Sequence, residues 1–229
     1  MAFKVETYHQ TWGAKLRWHC ITALVELMPL FPVPLEQYRK ILLEDCQRRF
    51  TTGQWDYLEG LSEAHRFSII AGISDMIMPG PKRVLDVGCG EGTLLKRMNC
   101  SQYIGLDLSQ IAIDRARGIK HDAASFHLTT AEDYQPQGQF DVIVFNESLY
   151  YMPKPIEIFE RYRKSLAPNG IIIVCMFQTY LAKKIWQRIA KTGIAELTQL
   201  KMINEKGYIN WIKAYAEVGS TFTGDQTSL

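Results

Sequence analysis

The sequence predicts an α/β protein: a doubly wound, mostly parallel sheet with helices on both faces and a helical extension in front. Three observations carry this. From Arg83 onward, strand-like and helix-like stretches alternate in the βαβ rhythm of a parallel sheet. Residues 140–145 and 170–177 are nearly continuous apolar runs, as strands covered on both faces require. The run Val84-Leu85-Asp86-Val87 passes directly into Gly88-Cys89-Gly90-Glu91-Gly92, and Thr93-Leu94-Leu95-Lys96-Arg97 then reads as helix.

The elements follow in order. In the front part, Trp12, Leu16, Cys20, Leu24, Leu27 and Met28 fall near one helical face, and Pro29 and Pro32 end that segment. Pro34 opens a second helix over 35–50, with Leu35, Tyr38, Ile41, Leu42 and Cys46 at helical spacing. Thr51-Thr52-Gly53-Gln54 breaks the pattern. A third amphipathic helix spans 61–77, with Ser62 as its expected cap and Pro79-Gly80-Pro81 as its stop. Residues 208–216 are more mixed and suit an edge strand, and 219–229 are polar, Thr-rich and expected to be disordered. The predicted organisation is therefore 1–60 as a helical extension, 61–218 as one α/β domain and 219–229 as a tail; no internal repeat or low-complexity tract is present.

Lys and Arg number 26 against 24 Asp and Glu, a net charge of +2, which argues against nucleic acid as the main partner because phosphate binding leaves a basic footprint. The lysines and arginines gathered at 183, 184, 188, 191, 201, 206 and 213 read as a solvated helix face and loops. Five cysteines, at 20, 46, 89, 100 and 175, form no C-x-x-C pair; an odd, unpatterned set points to a reduced cytoplasmic setting and away from zinc. The opening residues lack a secretory pattern, and the longest apolar stretch, 21–33, carries Glu26 and two prolines and is too short to span a bilayer.

The glycine turn carries the chemistry. Glycines let the backbone bend sharply and approach a ligand that a Cβ would hold off. Dinucleotide enzymes place pyrophosphate on a G-x-G-x-x-G turn here. This chain has G-x-G-x-G, with Asp86 two positions before the first glycine. A carboxylate beside the turn is a poor host for pyrophosphate and a good one for an ammonium, which points to a cofactor with an amino acid tail rather than NAD. The segment resembles motif I of the class I S-adenosylmethionine-dependent methyltransferases. Further pieces follow that pattern in order: Tyr103-Ile104-Gly105-Leu106-Asp107-Leu108-Ser109, Ala131-Glu132-Asp133, Phe140-Asp141-Val142-Ile143-Val144-Phe145, and Ser165-Leu166-Ala167-Pro168-Asn169-Gly170-Ile171. The resemblance covers residues 61–215. It implies a Rossmann-like seven-stranded sheet of order 3-2-1-4-5-7-6 with an antiparallel last strand, and an N-terminal helical lid.

It also implies a site. Asp86 with the Gly88 and Gly90 backbone would meet the cofactor's ammonium, and Cys89 and Asn146 are further cofactor-binding candidates. Asp107, about twenty residues past the turn, would accept the ribose hydroxyls. Leu108 and Ala131 would wall the adenine, with Glu132 or Asp133 accepting from its amine. Tyr57 would lie over the cofactor and Arg66 would reach the methionine carboxylate. At the end of the fourth strand, Glu147 is the best-placed carboxylate, and Tyr150 or Tyr151 would orient an acceptor. The competing reading has Glu147 capping the next helix and the tyrosines packing it. His65 is a further candidate base, although a lone helical His is more often structural. No Pro-Pro-aromatic follows Asn146, and Asn146 with Met176-Phe177-Gln178 occupies the places where catechol-type enzymes carry metal ligands, so no metal is expected. The whole resembles small bacterial and cyanobacterial enzymes of natural-product tailoring. The expected activity is metal-independent methyl transfer from S-adenosylmethionine, leaving S-adenosylhomocysteine, to N or O of a small, mostly apolar acceptor, by a cytoplasmic monomer or homodimer. The alternatives are an RNA or protein methyltransferase, or a non-catalytic cofactor-binding regulatory subunit.

Overall fold

A computed structural model describes residues 35–56, 60–204 and 207–221. The first helix of the extension, Tyr57 and residues 222–229 of the tail lie outside the described residues.

Two helices, α1 (Leu35–Thr51) and α2 (Leu61–Ile77), precede the alternating part. Then come β1 (Lys82–Val87), β2 (Cys100–Asp107), α3 (Gln110–Arg117), β3 (Ala124–Leu128), β4 (Phe140–Asn146), α4 (Pro155–Arg163), β5 (Leu166–Phe177), α5 (Tyr180–Ile189), β6 (Ala195–Ile203) and β7 (Ile209–Ala216). The sheet has seven strands in the order β3-β2-β1-β4-β5-β7-β6. The first five strands pair in parallel, and β7 runs antiparallel to both β5 and β6.

The apolar runs are long because strands have two buried faces. Along β4, Val142 and Val144 join one core with Phe67, Ile70 and Ile73 of α2 and Ile113 and Ala116 of α3. Ile143 and Phe145 point the other way, onto Ile158, Phe159 and Tyr162 of α4 and Ile185 and Ile189 of α5. That period-2 division of one run between two cores is what a central parallel strand demands.

Three local expectations change. Residues 93–97 form a five-residue 3-10 turn rather than an α-helix. The α2 N-cap is Gly60 in extended conformation, so Ser62 lies inside the first turn. The 208–216 segment is not the edge: β7 is enclosed between β5 and β6, and β6 forms the border. Mixed composition misled here because β7 alternates buried Ile212, Ala214 and Tyr215 with residues such as Lys213, whose ammonium reaches Glu196 on β6 at 2.8 Å.

Candidate functional site

One cavity of about 1520 Å³ opens over the C-terminal ends of β1, β2 and β4, where an open parallel sheet binds ligands. Its walls include Gly88, Cys89, Gly90, Asp107, Leu108, Ala131, Glu132, Asp133, Asn146, Glu147, Tyr150 and Tyr151, and from the helices in front Tyr38, Arg49, Phe50, Trp55 and Arg66. Asp86 and His65 are not among the lining residues.

The three glycines do different work. Gly88 has φ +83°, and a Cβ there would overlap the Cβ of Ser148. Gly92, at φ +75°, would drive a Cβ to 3.0 Å from Phe126. Only Gly90, at φ +54°, faces open space, its nearest neighbour Phe50 Cζ at 4.0 Å. The ligand-approach argument therefore applies to Gly90, while Gly88 and Gly92 are glycine because the protein itself presses on them. The Gly88 and Cys89 amides both donate to Leu106 O, at 2.8 and 2.9 Å, which folds the turn back over β2. Cys89 turns its sulfur toward β2, to within 2.8 Å of the place a Gly105 Cβ would take.

Asp107 ends β2 and is held rigidly. Oδ2 accepts from Gly90 N at 3.0 Å, and Oδ1 from Ser109 N at 2.8 Å. Burial raises its pKa, opposed by those backbone donors. Each oxygen keeps a second lone pair for a ligand hydroxyl. Capping and ligand binding are thus compatible here.

Asp86 lies beneath the turn, 2% exposed. The Tyr103 hydroxyl donates to Oδ2, and Oδ1 is buried with no partner among the described residues. Burial is the main cause that pushes its pKa up to about 7, with Tyr103 and Arg66 pulling it down. A carboxylate this dry calls for a cation, which fits an ammonium or a water-relayed one.

The adenine-side loop is pinned from α4. Arg161 donates to Ala131 O and, at 2.6 Å, to Glu132 O, and the Tyr162 hydroxyl reaches Ala131 O at 3.0 Å. Asp133 is spent locally, accepting from Thr130 Oγ1 at 2.8 Å, whereas Glu132 Oε1 is buried without a hydrogen-bond partner among the described residues. Between the two, Glu132 has the free acceptor.

Glu147, at the end of β4, has φ +57° and a carboxylate turned back onto the sheet. Its Oε2 accepts from the Tyr150 hydroxyl and from Phe177 N at 3.2 Å, and Oε1 accepts from Asn210 Nδ2 at 2.8 Å and Cys175 Sγ at 3.4 Å. Arg66 Nη1 lies 3.7 Å away, and Arg66 Nη2 lies 3.2 Å from Glu63. This geometry is neither a helix cap nor a free base, because five groups already share the carboxylate. Arg66 is buried beside two carboxylates, Glu147 and Glu63, while its Nε has no hydrogen-bond partner among the described residues. Burial and the Glu147 charge hold the Tyr150 hydroxyl far above its ordinary pKa. Burial also raises Tyr151, and Arg49 beside it works the other way. Asn146 Oδ1, on the cavity wall, is a third buried oxygen without a hydrogen-bond partner among the described residues.

Sequence reasoning missed the α1 side of the site. The Tyr38 hydroxyl donates to Tyr151 O, Arg39 lies 3.6 Å from Asp133 and 3.9 Å from Glu132, and Arg115 of α3 holds Phe50 O at 3.1 Å. Helical spacing put Tyr38 on the buried face, but no local signal names a partner over a hundred residues away. Asn210 and Ser148 were missed for the same reason.

Comparison with known proteins agrees with this geometry. A family model described as a methyltransferase domain matches residues 63–223. The chain is 34% identical over 102 residues to a trans-aconitate 2-methyltransferase of Acidovorax sp. (strain JS42), covering 43% of this chain and 39% of that protein. It is 34% identical over 139 residues to a ubiquinone biosynthesis O-methyltransferase of Thiobacillus denitrificans, covering 58% of this chain and 59% of that protein. It therefore spans less than two thirds of either relative. The fold matches the N-methyltransferase NodS from Bradyrhizobium japonicum WM9, crystallised with S-adenosylhomocysteine, at TM-score 0.65 and 17% identity, over 77% of this chain and 98% of that one. With the glycine turn, the strand order and the family match in agreement, the chain belongs to the class I S-adenosylmethionine-dependent methyltransferases.

Proposed function

We propose that this protein transfers the methyl group of S-adenosylmethionine to nitrogen or oxygen of a small, mostly apolar acceptor by in-line displacement, without a metal ion. The observation that carries the reading is a set of buried oxygens around one cavity that have no hydrogen-bond partner among the described residues: Glu132 Oε1 and Asn146 Oδ1 on its wall and Asp86 Oδ1 beneath it. Buried polar atoms are normally paired, and these three match an adenine amine and an amino acid tail. Asp107, fixed by two backbone donors, is the ribose acceptor in this reading.

The cofactor supplies an electrophilic methyl on a positively charged sulfur. The chain's residues supply position, which is where most of the acceleration of such a displacement arises. Gly90 gives the tail room, Arg161 holds the adenine loop, and Glu147 gathers Tyr150, Phe177 and Asn210 into a fixed wall at the methyl end. The acceptor's N–C or O–C bond forms as the S–C bond breaks, and its proton leaves to water. A base is needed only when the nucleophile arrives protonated, and Glu147 is already occupied. The metal-independent form rests on Asn146 standing where the catechol-type pattern has Asp. The relatives are named for trans-aconitate methylation and ubiquinone biosynthesis, which supports a small-molecule acceptor. N and O remain joined in the proposal, because NodS is named for N-methylation and the ubiquinone relative for O-methylation.

Calorimetric titration with S-adenosylmethionine and S-adenosylhomocysteine, with NAD as control, tests the reading. Micromolar binding of the first two, no binding of NAD, and methyl transfer to an amine, indole or phenol from a screen are the expected results. Cofactor binding without turnover on any acceptor would favour a regulatory subunit, and NAD binding would overturn the assignment.

A further inference from the structure

Arg49 is a buried residue whose guanidinium leaves most of its hydrogen-bonding edge unused. The residue is 9% exposed and lines the cavity. Its Nε donates to Asp45 Oδ2 at 2.5 Å, while its two terminal nitrogens have no hydrogen-bond or ion-pair partner among the described residues. The other oxygen of that carboxylate accepts from Arg48 Nη2. Beyond the Asp45 pair, the terminal nitrogens leave a planar fork, matched to an oxyanion, on the cavity wall.

Its surroundings decide which oxyanion. The guanidinium carbon lies 5.7 Å from the centre of the Trp55 ring, and Trp55 stands edge-on to Phe50, ring centres 4.6 Å apart. Its charge reaches the Tyr151 hydroxyl and the Cys46 thiol. Asp86, the proposed anchor of the cofactor's tail, has Arg66 and not Arg49 among the charges acting on it. Arg49 thus belongs to the aromatic wall between α1 and Tyr151 rather than to the tail end of the cavity.

We infer that Arg49 is the acceptor's anchor, and that the acceptor is an amphipathic molecule whose apolar body lies against Trp55, Phe50 and Tyr151 while a carboxylate or phenolate pairs with the Arg49 fork. This deepens the methyl-transfer reading and rests on it: an apolar acceptor with one anionic group replaces a merely apolar one.

Matched pairs of aryl carboxylates and their primary amides (benzoate, cinnamate and indole-3-acetate) serve as probes, titrated by ligand-observed NMR into protein saturated with S-adenosylhomocysteine. At least one carboxylate is expected to bind tenfold or more tightly than its amide. Arg49→Gln should abolish the preference while leaving S-adenosylhomocysteine affinity unchanged, and Arg49→Lys should retain part of it. Arg48→Gln, which alters the more exposed partner of the same Asp45, should leave the preference intact. No preference in the unmodified protein, or equal loss in Arg48→Gln, would overturn the inference. Weakened S-adenosylhomocysteine binding in Arg49→Gln would overturn it too, by assigning Arg49 to the cofactor's carboxylate. Failure of the unmodified protein to bind S-adenosylhomocysteine is a separate result, and counts against the methyl-transfer reading.

Discussion

Asp107 and Asp86 are both buried carboxyls beside the glycine turn, yet their environments give them different predicted behaviour. Asp107 has backbone donors on both oxygens, so its geometry is set before any ligand arrives. Asp107→Ala should remove one or two charge-assisted hydrogen bonds to the ribose, roughly 1.5–3 kcal/mol each. Calorimetry should show S-adenosylhomocysteine affinity falling at least tenfold; an unchanged Kd would remove Asp107 from the site. Asp86 is different because burial raises its pKa to about 7. Its unfolded value is about 3.9, so the folded state favours the protonated form. The stabilisation this gives is complete below the unfolded value and is lost as pH rises through about 7. The melting temperature of the ligand-free protein should accordingly decline between about pH 4 and pH 7, and Asp86→Asn should flatten the decline. Cofactor affinity should run the opposite way, strengthening as Asp86 ionises to meet the ammonium. A Asp86→Asn variant with the same two pH slopes as the unmodified protein would refute this assignment.

The β1–turn–β2 element shows where sequence legibility stops. Its strand, its glycines and its acidic ends were plain in the chain, and the residues 84–92 segment alone pointed to an amino acid-bearing cofactor. What could not be read was which glycine serves the ligand. Gly88 is required by Ser148, which arrives from the end of β4 about sixty positions away. Similarly, helical spacing located α1 but not the Tyr38–Tyr151 or Arg39–Asp133 links, and it placed Glu147 without its Arg66, Cys175 and Asn210 partners. Local pattern fixes a backbone's periodicity; a side chain's partner depends on register across the whole sheet. The distinction is measurable. Gly90→Ala meets open space, so its cost should be the left-handed strain of about 1–2 kcal/mol, together with loss of cofactor affinity. Gly88→Ala adds a steric overlap of about 1–3 kcal/mol to the same strain. Thermal melts should rank Gly88→Ala below Gly90→Ala, and Ser148→Gly should restore part of the Gly88→Ala loss. Equal stability of the two alanine variants would refute the division of roles.

At the scale of the whole molecule, the sheet supplies a rigid floor and α1 a wall tied to it at separate points. The floor is continuous core on both faces, with β4 and β5 completely buried through Val142, Ile143, Val144 and Phe145 and through Ile171, Ile172, Ile173 and Val174. The α1 wall is held differently, by the Tyr38 bond to Tyr151 O, the Arg39 ion pairs and the Arg115 bond to Phe50 O. A few polar ties at the margin of a cavity open at lower free energy than a packed sheet. A cofactor bound between wall and floor adds contacts to both, and stabilises the folded state by about 2.7 kcal/mol at a hundredfold excess over Kd. For a domain of this size that corresponds to a melting-temperature rise of roughly 5–11 °C. The gain should be unevenly distributed. Hydrogen exchange with S-adenosylhomocysteine should protect α1 amides strongly, the β1 turn moderately, and the β6–β7 pairing at the far border of the sheet least. Tyr38→Phe removes one tie, so α1 should exchange faster in the free protein and regain most of its protection when the ligand is bound. Uniform protection across α1 and β6–β7 would mean that the ligand stabilises only the global fold, and α1 would then be a fixed wall rather than a cover that closes on the cofactor.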